Sequence, residues 1–301
     1  MLKISAFTIT TNNIKNQYPV IESVKSILPL VDEVVIVDGG STDNTVEELK
    51  KLGDKIVIIQ DEDSKWEHDW IYSQMGKNWS RGFDECAKRG ADFIIKFDTD
   101  YIFDNTFKLR EEFEGIKDKV LRVGFHRLNF QLVDRHFNKS PKTLAVNYKM
   151  CKEKGLNVRW GYDMKNFGLC DEAIIYKFTE HNLLQGELLS KSSHRHITQL
   201  RVYNYGYCFR DKKTAEDIMY RNMIAFWGQL SLMGQSKPSD ISREAIWKAN
   251  LEMREKEHTK FQNIINIDRH PIEIQDKIKN LTPDKQGYNF YGRYETASYF
   301  K

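Results

Sequence analysis

The first hundred residues alternate between short apolar runs and amphipathic stretches, a pattern typical of βαβ units. The apolar runs predict four strands, at residues 4–9, 33–38, 55–60 and 92–97. Between them, apolar residues at helical spacing predict a helix after Pro19, and a cap cluster predicts a second helix starting at Asn44 or Thr45. A third helix is expected near residues 81–88. The order β-α-β-α-β-α-β predicts an α/β fold with a mostly parallel sheet flanked by helices.

Beyond Asp104 the pattern is less regular. It predicts a helix up to Lys117, a strand over residues 120–130 and then a loop-rich stretch containing Trp160 and Gly168. We interpret this region as an elaboration of the same domain.

From Lys212 the composition becomes helical through Lys260, and His270-Pro271 interrupts it before a short final helix. No repeat or low-complexity linker marks a hinge. We therefore expect one domain over residues 1–211, with halves at about 1–104 and 105–211, and a helical C-terminal extension over residues 212–301.

Composition narrows the class of protein. The chain has 301 residues, 40% hydrophobic and 30% charged, which excludes fibrous and wholly disordered proteins. Its formal charge of +3 is too balanced to favour nucleic acid as a partner. Four cysteines without a CxxC pair argue against a zinc knuckle and a disulfide framework. With no signal-like start and no apolar run of about 18 residues, we expect a cytoplasmic protein, and leave peripheral membrane contact open.

Polar residues follow each of the four predicted strands. In an open parallel sheet, ligands bind outside the carboxyl ends of the strands, so these positions are the candidate site. Each residue alone is weak evidence, because Asp and Asn are common in turns. Their convergence on one edge is what indicates a site, and its members are Thr10, Thr11, Asn12, Asn13, Asp38, Asp61, Asp63, Asp98 and Asp100.

Asp98 and Asp100 are separated by one residue, so an extended backbone would direct both side chains to the same side. Together they can approach one hard divalent cation, Mn²⁺ or Mg²⁺. Such an ion keeps positions for water and phosphate oxygens, as transfer from a nucleotide diphosphate requires. An isolated pair is more often a solvated turn, but its place after an apolar strand favours the metal site.

Three segments carry a resemblance to a known family: FTITTNN at residues 7–13, VVIVDGGSTDNT at 34–45 and IIKFDTD at 94–100. Together they resemble the family 2 glycosyltransferases of the GT-A fold, a Rossmann-like fold. The resemblance implies that Asp38 contacts the nucleotide base and that Thr10, Thr11 and Asn12 line the nucleotide pocket. It implies that Asp98 and Asp100 serve the metal and the sugar nucleotide.

Two further segments match the family with departures. Residues 79–81 resemble the arginine-bearing helix start of many relatives, although Gly82 stands where an asparagine is usual. Arg81 would bind phosphate, lock a carboxylate or lie idle on the surface. In the segment 201–207, Asn204 replaces a histidine of one branch, so the third metal ligand is Asn204, His194 or His196.

The catalytic base is expected in the second half of the chain, before the segment around Tyr203, where the family places it. We favour Asp171 or Glu172, since the flanking apolar residues could raise a carboxyl pKa. For Asp171 a helix cap is an equal alternative. The other carboxylates of this stretch are Asp163, Glu180 and Glu187, and Trp66, Trp70, Trp79 and Trp160 are candidates for sugar stacking or core packing.

These observations predict a metal-dependent glycosyltransferase that moves a sugar from a nucleotide-diphosphate donor to the hydroxyl of a glycan, lipid-linked or other acceptor. The resemblance implies inversion at the anomeric carbon. A sugar-phosphate nucleotidyltransferase is less favoured because residues 10–14 lack the glycine-rich loop. A non-catalytic sugar- or partner-binding module stays open, since Gly82 and Asn204 depart from the pattern. A homodimer is also left open.

Overall fold

The structure is a computed structural model, which describes residues 1–61, 71–160, 172–179, 182–188, 194–206, 208–232, 242–245, 248 and 263–282. The first part follows the predicted order of elements. In chain order these are β1 (Ile4–Thr10), α1 (Val20–Ile27), β2 (Glu33–Asp38), α2 (Thr45–Lys50), β3 (Ile56–Gln60), α3 (Ile71–Lys88) and β4 (Phe93–Lys96). The four predicted strands and three helices are confirmed, with α3 starting ten residues earlier than expected.

The second part contains more strands than the pattern predicted. In chain order it has β5 (Tyr101–Phe103), α4 (Leu109–Ile116), β6 (Arg122–Leu132), β7 (Arg135–Asn147), α5 (Tyr148–Glu153), β8 (Asn157–Arg159), β9 (Ile174–Thr179), β10 (Asn182–Leu188), β11 (Arg195–Asn204), α6 (Lys212–Leu232), β12 (Asn263–Ile264), a 3₁₀ turn (Ile267–Arg269) and α7 (Ile272–Lys279). The loop-rich stretch expected after residue 130 is wrong up to residue 160, where β7, α5 and β8 lie, and its part at residues 161–171 lies outside the described residues. The first half of β7 is half-buried or exposed and polar, which hides a strand from a hydrophobic pattern.

Within the described residues, one sheet has the strand order β3-β2-β1-β4-β7-β6-β11-β5, and β12 pairs with β7. Strands β3, β2, β1 and β4 are mutually parallel. Strand β7 is antiparallel to β4 and β6, and β11 is parallel to β6. A second sheet has the order β10-β9-β8. The predicted α/β fold with a mostly parallel sheet flanked by helices is confirmed.

Alternate side chains of β1 enter two different cores. Ile4 and Ala6 pack with Val24 of α1 and Phe113 of α4, whereas Phe7 packs in a separate cluster on α3. This period of two is expected for a strand that is covered by helices on both faces. The carboxyl ends of β1, β2 and β3 lead into the loops that begin at Thr11, Gly39 and Asp61.

A third cluster joins the end of β11 to the C-terminal residues. Tyr205 and Phe209 pack with Ile274 and Ile278 of α7. Lys277 also pairs with Glu22 of α1 at 2.9 Å. Residues 272–279 therefore share a core with residues before 211, and the boundary at 211 stays a prediction. Among the described helices, none is long and apolar enough to cross a membrane.

Candidate active site

The carboxyl ends of the parallel strands meet, as predicted. Asp38 lies between Thr10 of β1 and Gln60 of β3 in the register of the sheet. Backbone hydrogen bonds continue this alignment beyond the strands: Gly39 N donates to Thr10 O at 2.8 Å, and Asp61 N donates to Asp38 O at 2.8 Å. The first three strand ends thus form one continuous edge.

Asn12 joins the loop after β1 to the loop after β2. Its backbone N donates to Ser41 Oγ at 2.8 Å, and its Oδ1 accepts from Thr42 N at 2.7 Å and Asp43 N at 3.1 Å. Its φ of 50° lies in the left-handed region, which Asn tolerates better than most residues. Asn12 therefore shapes the predicted nucleotide pocket, and a direct contact with the nucleotide stays a prediction.

Asp38 is 1% exposed, and Ser41 orients its carboxylate. Ser41 N donates to Oδ2 at 2.9 Å, and Ser41 Oγ donates to Oδ1 at 2.5 Å. Each carboxylate oxygen has two acceptor positions, and Ser41 uses one on each. Nearby, Thr11 Oγ1 donates to Thr10 O at 2.6 Å, while Thr10 Oγ1 is buried without a hydrogen-bond partner in the described part of the chain.

Asp98 and Asp100 lie in a turn, so the extended backbone expected for them was wrong. Tyr101 N donates to Asp98 O at 3.0 Å, which closes the turn directly after β4. The loop after β1 holds this turn, because Asn13 Nδ2 donates to Thr99 Oγ1 at 2.6 Å. The Asp98 carboxylate nevertheless lies close enough to raise the pKa of Asp100.

The environment of Asp98 keeps it ionised. Partial desolvation would raise the pKa of its carboxyl, but the ammonium groups of Lys96 and Lys142 outweigh this effect. Lys96 Nζ lies 2.6 Å from Asp98 Oδ1, and Tyr101 also contributes a hydrogen bond. The resulting pKa of Asp98 is about 2.

Asp100 has the opposite character. Desolvation and the neighbouring Asp98 carboxylate raise its pKa to about 6, against the lowering effect of Arg210. Its Oδ1 is buried and has no hydrogen-bond partner among the described residues. A buried carboxylate oxygen without a partner is costly, so this atom is suited to a cation that the folded chain does not itself provide.

Asn204 lies beside Asp100. It ends β11 and pairs in register with Tyr101, and Tyr205 N donates to Asp100 O at 3.0 Å. A Cβ built on Gly206 would lie 2.6 Å from Asp100 Oδ2 and 3.1 Å from Asn204 Oδ1, so the two oxygens converge where glycine leaves space. These carboxylate and amide oxygens fit a hard divalent ion.

The two histidines proposed as alternatives to Asn204 lie elsewhere. His196 is eight residues before Asn204 on the same strand, about 26 Å away at 3.3 Å per residue. Its Nε2 lies 2.7 Å from Glu112 Oε1 of α4. His194 directly precedes the strand. The structure therefore corrects this expectation, and Asn204 alone of the three reaches the aspartates.

Arg81 locks a carboxylate, one of its predicted alternatives. Its Nη1 lies 2.7 Å from Asp61 Oδ1, and Gln74 Nε2 donates to Asp61 Oδ2 at 2.9 Å. A role of Arg81 in substrate binding stays a prediction. Packing explains the glycine at the neighbouring position 82, because a Cβ there would lie 2.8 Å from Cδ2 of the buried Phe7.

The structure adds residues that sequence reasoning missed. Arg210 is 4% exposed, stacks at 3.8 Å on the ring of Tyr18, and its Nε and Nη2 have no hydrogen-bond partner among the described residues. Lys96 and Lys142 are also buried. Lys96 stands two residues before Asp98, and this spacing was the one available signal. Arg210 and Lys142 reach the site only through tertiary folding.

The other candidates have mixed outcomes. Trp79 and Trp160 are buried in the core, which favours the packing alternative for them. Asp163, Asp171 and Glu180, with Trp66 and Trp70, lie outside the described residues. Glu172 precedes Ala173, which is buried in the cluster on α3, and Glu187 lies on β10. The assignment of the base stays a prediction.

Similar proteins were found by sequence and by structure. A protein of Rickettsia bellii named a glycosyltransferase is 30% identical over 149 residues, covering 50% of this chain and 44% of its own. One of Rickettsia conorii is 52% identical over 56 residues, 19% of each chain. The matched segments thus span less than half of these curated relatives. The crystal structure of S. aureus TarS 1–349 in complex with UDP has a TM-score of 0.44 and 12% identity, covering 93% of this chain and 78% of that one.

The family model described as glycosyl transferase family 2 matches residues 5–156. This range is about half of the chain and contains β1 to β7. It includes the loops after β1 and β2, which Asn12 joins by hydrogen bonds, and the turn that carries Asp98 and Asp100. The chain therefore belongs to glycosyl transferase family 2.

Proposed function

We propose that this protein transfers a sugar from a nucleotide-diphosphate donor to an acceptor hydroxyl. The observation that carries the proposal is the Asp100 carboxylate at the carboxyl edge of a family 2 domain. Its Oδ1 is buried without a hydrogen-bond partner among the described residues, and its Oδ2 converges with Asn204 Oδ1 beside Gly206. Open α/β sheets bind ligands at this edge.

The donor's nucleoside occupies the loops after β1 and β2. Asp38 offers an acceptor position on each oxygen, held in place by Ser41. A carboxylate in this position accepts a hydrogen bond from the imide of uracil or guanine. Thr10 and Thr11 line the nucleotide pocket beside Asp38, and Asn12 fixes the loops after β1 and β2 relative to each other.

The residues present fit a divalent ion, Mn²⁺ or Mg²⁺, held by Asp100 with Asn204 and Asp98. When bound, such an ion supplies positive charge to the diphosphate that leaves. Asp98 contributes its fixed negative charge, since its pKa of about 2 keeps it ionised across the physiological range. The described residues contain no cluster of three or more His, Cys, Asp or Glu that could hold a metal, so this site relies on substrate oxygens and Asn204 to complete the coordination.

Arg210 stabilises the leaving diphosphate. It is close enough to Asp100 to lower that carboxyl's pKa, and its Nε and Nη2 are buried without hydrogen-bond partners in the described part of the chain. A guanidinium with two open donors matches the geometry of phosphate oxygens. Its stacking on Tyr18 holds the group in one orientation before substrate binds.

A carboxylate must accept the proton of the attacking hydroxyl, and Glu172 or Asp171 is proposed for that role. Attack on the face opposite the diphosphate inverts the anomeric carbon, and needs no covalent intermediate on the protein. Cytoplasmic residence, peripheral membrane contact and a homodimer remain predictions.

The test is donor hydrolysis and transfer with a panel of UDP- and GDP-sugars, in Mn²⁺, in Mg²⁺ and in a chelator. The proposal expects release of nucleotide diphosphate from at least one donor, lost in the chelator. Binding of the donor without any turnover across the panel and a panel of hydroxyl acceptors would favour the non-catalytic module.

A further inference from the structure

Two consecutive residues of the loop after β1 contact two consecutive residues before α6. Gln17 Nε2 donates to Asp211 Oδ2 at 2.6 Å, and Asp211 N donates to Gln17 Oε1 at 2.8 Å. The ring of Tyr18 lies 3.8 Å from the Arg210 guanidinium. We call the reciprocal pair of hydrogen bonds between Gln17 and Asp211 the Gln17–Asp211 clamp. It joins parts of the chain that are 194 residues apart.

Asp211 is also fixed from the other side, by α6. Its Oδ1 accepts from Thr214 N at 2.8 Å, and its carbonyl oxygen accepts from Ala215 N at 3.0 Å, as at the start of a capped helix. The two carboxylate oxygens therefore have different partners: Oδ1 caps α6, and Oδ2 binds the loop after β1. Because Arg210 directly precedes Asp211, the clamp also fixes the backbone that carries Arg210.

The backbone is unusual on both sides of the clamp. Gln17 has a φ of 57° and Phe209 a φ of 70°, in the left-handed region that residues other than glycine rarely adopt. Such conformations persist where surrounding contacts hold them, and they are common at functional sites. Phe209 is 3% exposed and packs with Ile274 and Ile278. The folded chain thus holds both segments in a defined conformation.

The loop after β1 is connected to the rest of the candidate site as well. Tyr18 N donates to Asn13 O at 2.9 Å. Asn13 holds the turn after β4 through Thr99, and Asn12 holds the loop after β2. One loop therefore links the base pocket, the aspartate turn and, through the clamp, Arg210.

Arg210 lies beside the proposed ion site. Its Nη1 donates to Gly206 O, and a Cβ on Gly206 would lie 2.6 Å from Asp100 Oδ2. Its Nε and Nη2 have no hydrogen-bond partner among the described residues. The stacking on Tyr18 acts on the guanidinium itself, whereas the clamp acts on the backbone next to it.

We infer that Gln17 is a positioning residue, which holds Arg210 at the distance from the base pocket that a bound nucleoside diphosphate requires. This inference rests on the proposed function. A glutamine amide carries both a donor and an acceptor at its end, so it can donate to the Asp211 carboxylate and accept from Asp211 N at the same time. A pre-positioned Arg210 loses less conformational freedom when the diphosphate binds. The clamp should therefore strengthen binding of the diphosphate and leave binding of the nucleoside unchanged.

The test is calorimetry on the full chain in Mn²⁺, with UDP against uridine and GDP against guanosine as probes. Gln17→Asn keeps an amide and tolerates the left-handed backbone, but its side chain is one carbon shorter. It should weaken binding of the nucleoside diphosphate by about 3- to 10-fold, the usual effect of a lost hydrogen bond, with nucleoside affinity unchanged. Gln17→Gly, which adopts this backbone readily, should give the same result even if Gln17→Asn folds poorly.

The matched control is Gln199→Asn, the same change at an exposed glutamine of β11. It should bind the diphosphates and the nucleosides as the native chain does.

A second measurement combines Gln17→Asn with Arg210→Ala. If Gln17 acts through Arg210, the double variant should bind UDP no more weakly than Arg210→Ala alone, because the effects of residues that act as one unit do not add. A purely structural role would add its full loss in both backgrounds.

Unchanged UDP affinity in Gln17→Asn and Gln17→Gly would overturn the inference. So would an equal loss of uridine affinity, or a full additional loss in the Arg210→Ala background. In each of these cases UDP still binds the native chain, so the proposed function is untouched. If neither UDP nor GDP binds the native chain, the proposed function fails, and the inference fails with it.

Discussion

Lys96 Nζ lies 2.6 Å from Asp98 Oδ1 and 4.1 Å from the centre of the Trp79 ring, in a side chain with no exposed surface. The charge of Asp98 is thus matched within the protein, whereas Asp100 Oδ1 has no hydrogen-bond partner among the described residues. The two aspartates, separated by one residue, therefore have different tasks. The proposed function accordingly gives Asp98 the task of organising the local charge and Asp100 the task of facing the ion.

Arg210→Ala should weaken UDP binding by about 10- to 100-fold, because it removes charged hydrogen bonds to the diphosphate, each worth about 1.5–3 kcal/mol. Arg210→Lys keeps the charge but loses the forked pair of donors, so its UDP affinity should lie between those of the native chain and Arg210→Ala. Calorimetry with UDP and with uridine separates the causes. An equal loss of uridine affinity would mean that Arg210 acts on the pocket's shape rather than on phosphate.

Asp171→Asn and Glu172→Gln should separate the base from its neighbour. The base variant should bind donor normally yet lose transfer by about 10²–10⁴-fold, the usual contribution of general base catalysis. The other variant should keep transfer. Initial rates at saturating donor measure this. If both variants keep full activity, the base lies elsewhere, with Glu187 as the next candidate.

Gly82→Ala should destabilise the fold by about 1–3 kcal/mol, the usual cost of overpacking. Its Cβ would lie 2.8 Å from Phe7 Cδ2, and the Phe7 ring has no exposed surface through which to move away. Gly115→Ala on α4 is the matched control, since nothing lies within 4 Å of its Cβ, and it should be neutral or stabilising. Urea unfolding compares them, and equal midpoints would contradict the packing account.

His270 should make the fold sensitive to acid. It is 3% exposed and shares a 2.5 Å hydrogen bond with Tyr205, and burial together with the charge of His136 lowers its pKa to about 4, against Asp134 and Asp268. The unfolded chain, with a pKa near 6.5, binds more protons between pH 6.5 and 4, so stability falls as the pH falls through that window. The free energy of unfolding should fall by about 3 kcal/mol in total across this window.

His270→Gln should flatten that part of the stability curve, whatever its effect on stability at pH 7. Urea unfolding at a series of pH values gives the slope for each protein. The difference between the slopes isolates His270 from the carboxylates that also titrate in acid. Identical slopes between pH 6.5 and 4.5 would show that His270 does not titrate there.

The sequence predicted the fold of the first hundred residues well, for physical reasons. Strands β1, β2 and β4 are buried on both faces, and the edge strand β3 is half-buried, so each forms an apolar run with turn residues on either side. Strand β2 matches its predicted limits, Glu33 and Asp38. The part after residue 104 was harder to predict, because β7 begins with half-buried and exposed, mostly polar residues, and its pairing with β6 depends on tertiary contacts.

The sequence predicted only part of the candidate site. Positions at strand ends can be read from the pattern, but side-chain partners cannot. Asn44 or Thr45 was expected to cap α2. Asn44 is the cap residue, yet its side chain makes no capping bond, and Asp43 Oδ1 accepts from Thr45 N at 3.0 Å instead. Arg210 is 110 residues from Asp100 in the chain, so no local spacing links them.

Asp100→Asn tests the central claim most directly, through the affinity for UDP measured by calorimetry with and without Mn²⁺. The change keeps the size of the side chain but removes the charge that would face the ion. The account predicts that Mn²⁺ strengthens UDP binding by at least about tenfold in the native chain and in Asp54→Asn, a control at an exposed residue before β3. In Asp100→Asn that Mn²⁺ effect should be lost. An unchanged Mn²⁺ effect in Asp100→Asn would contradict the account.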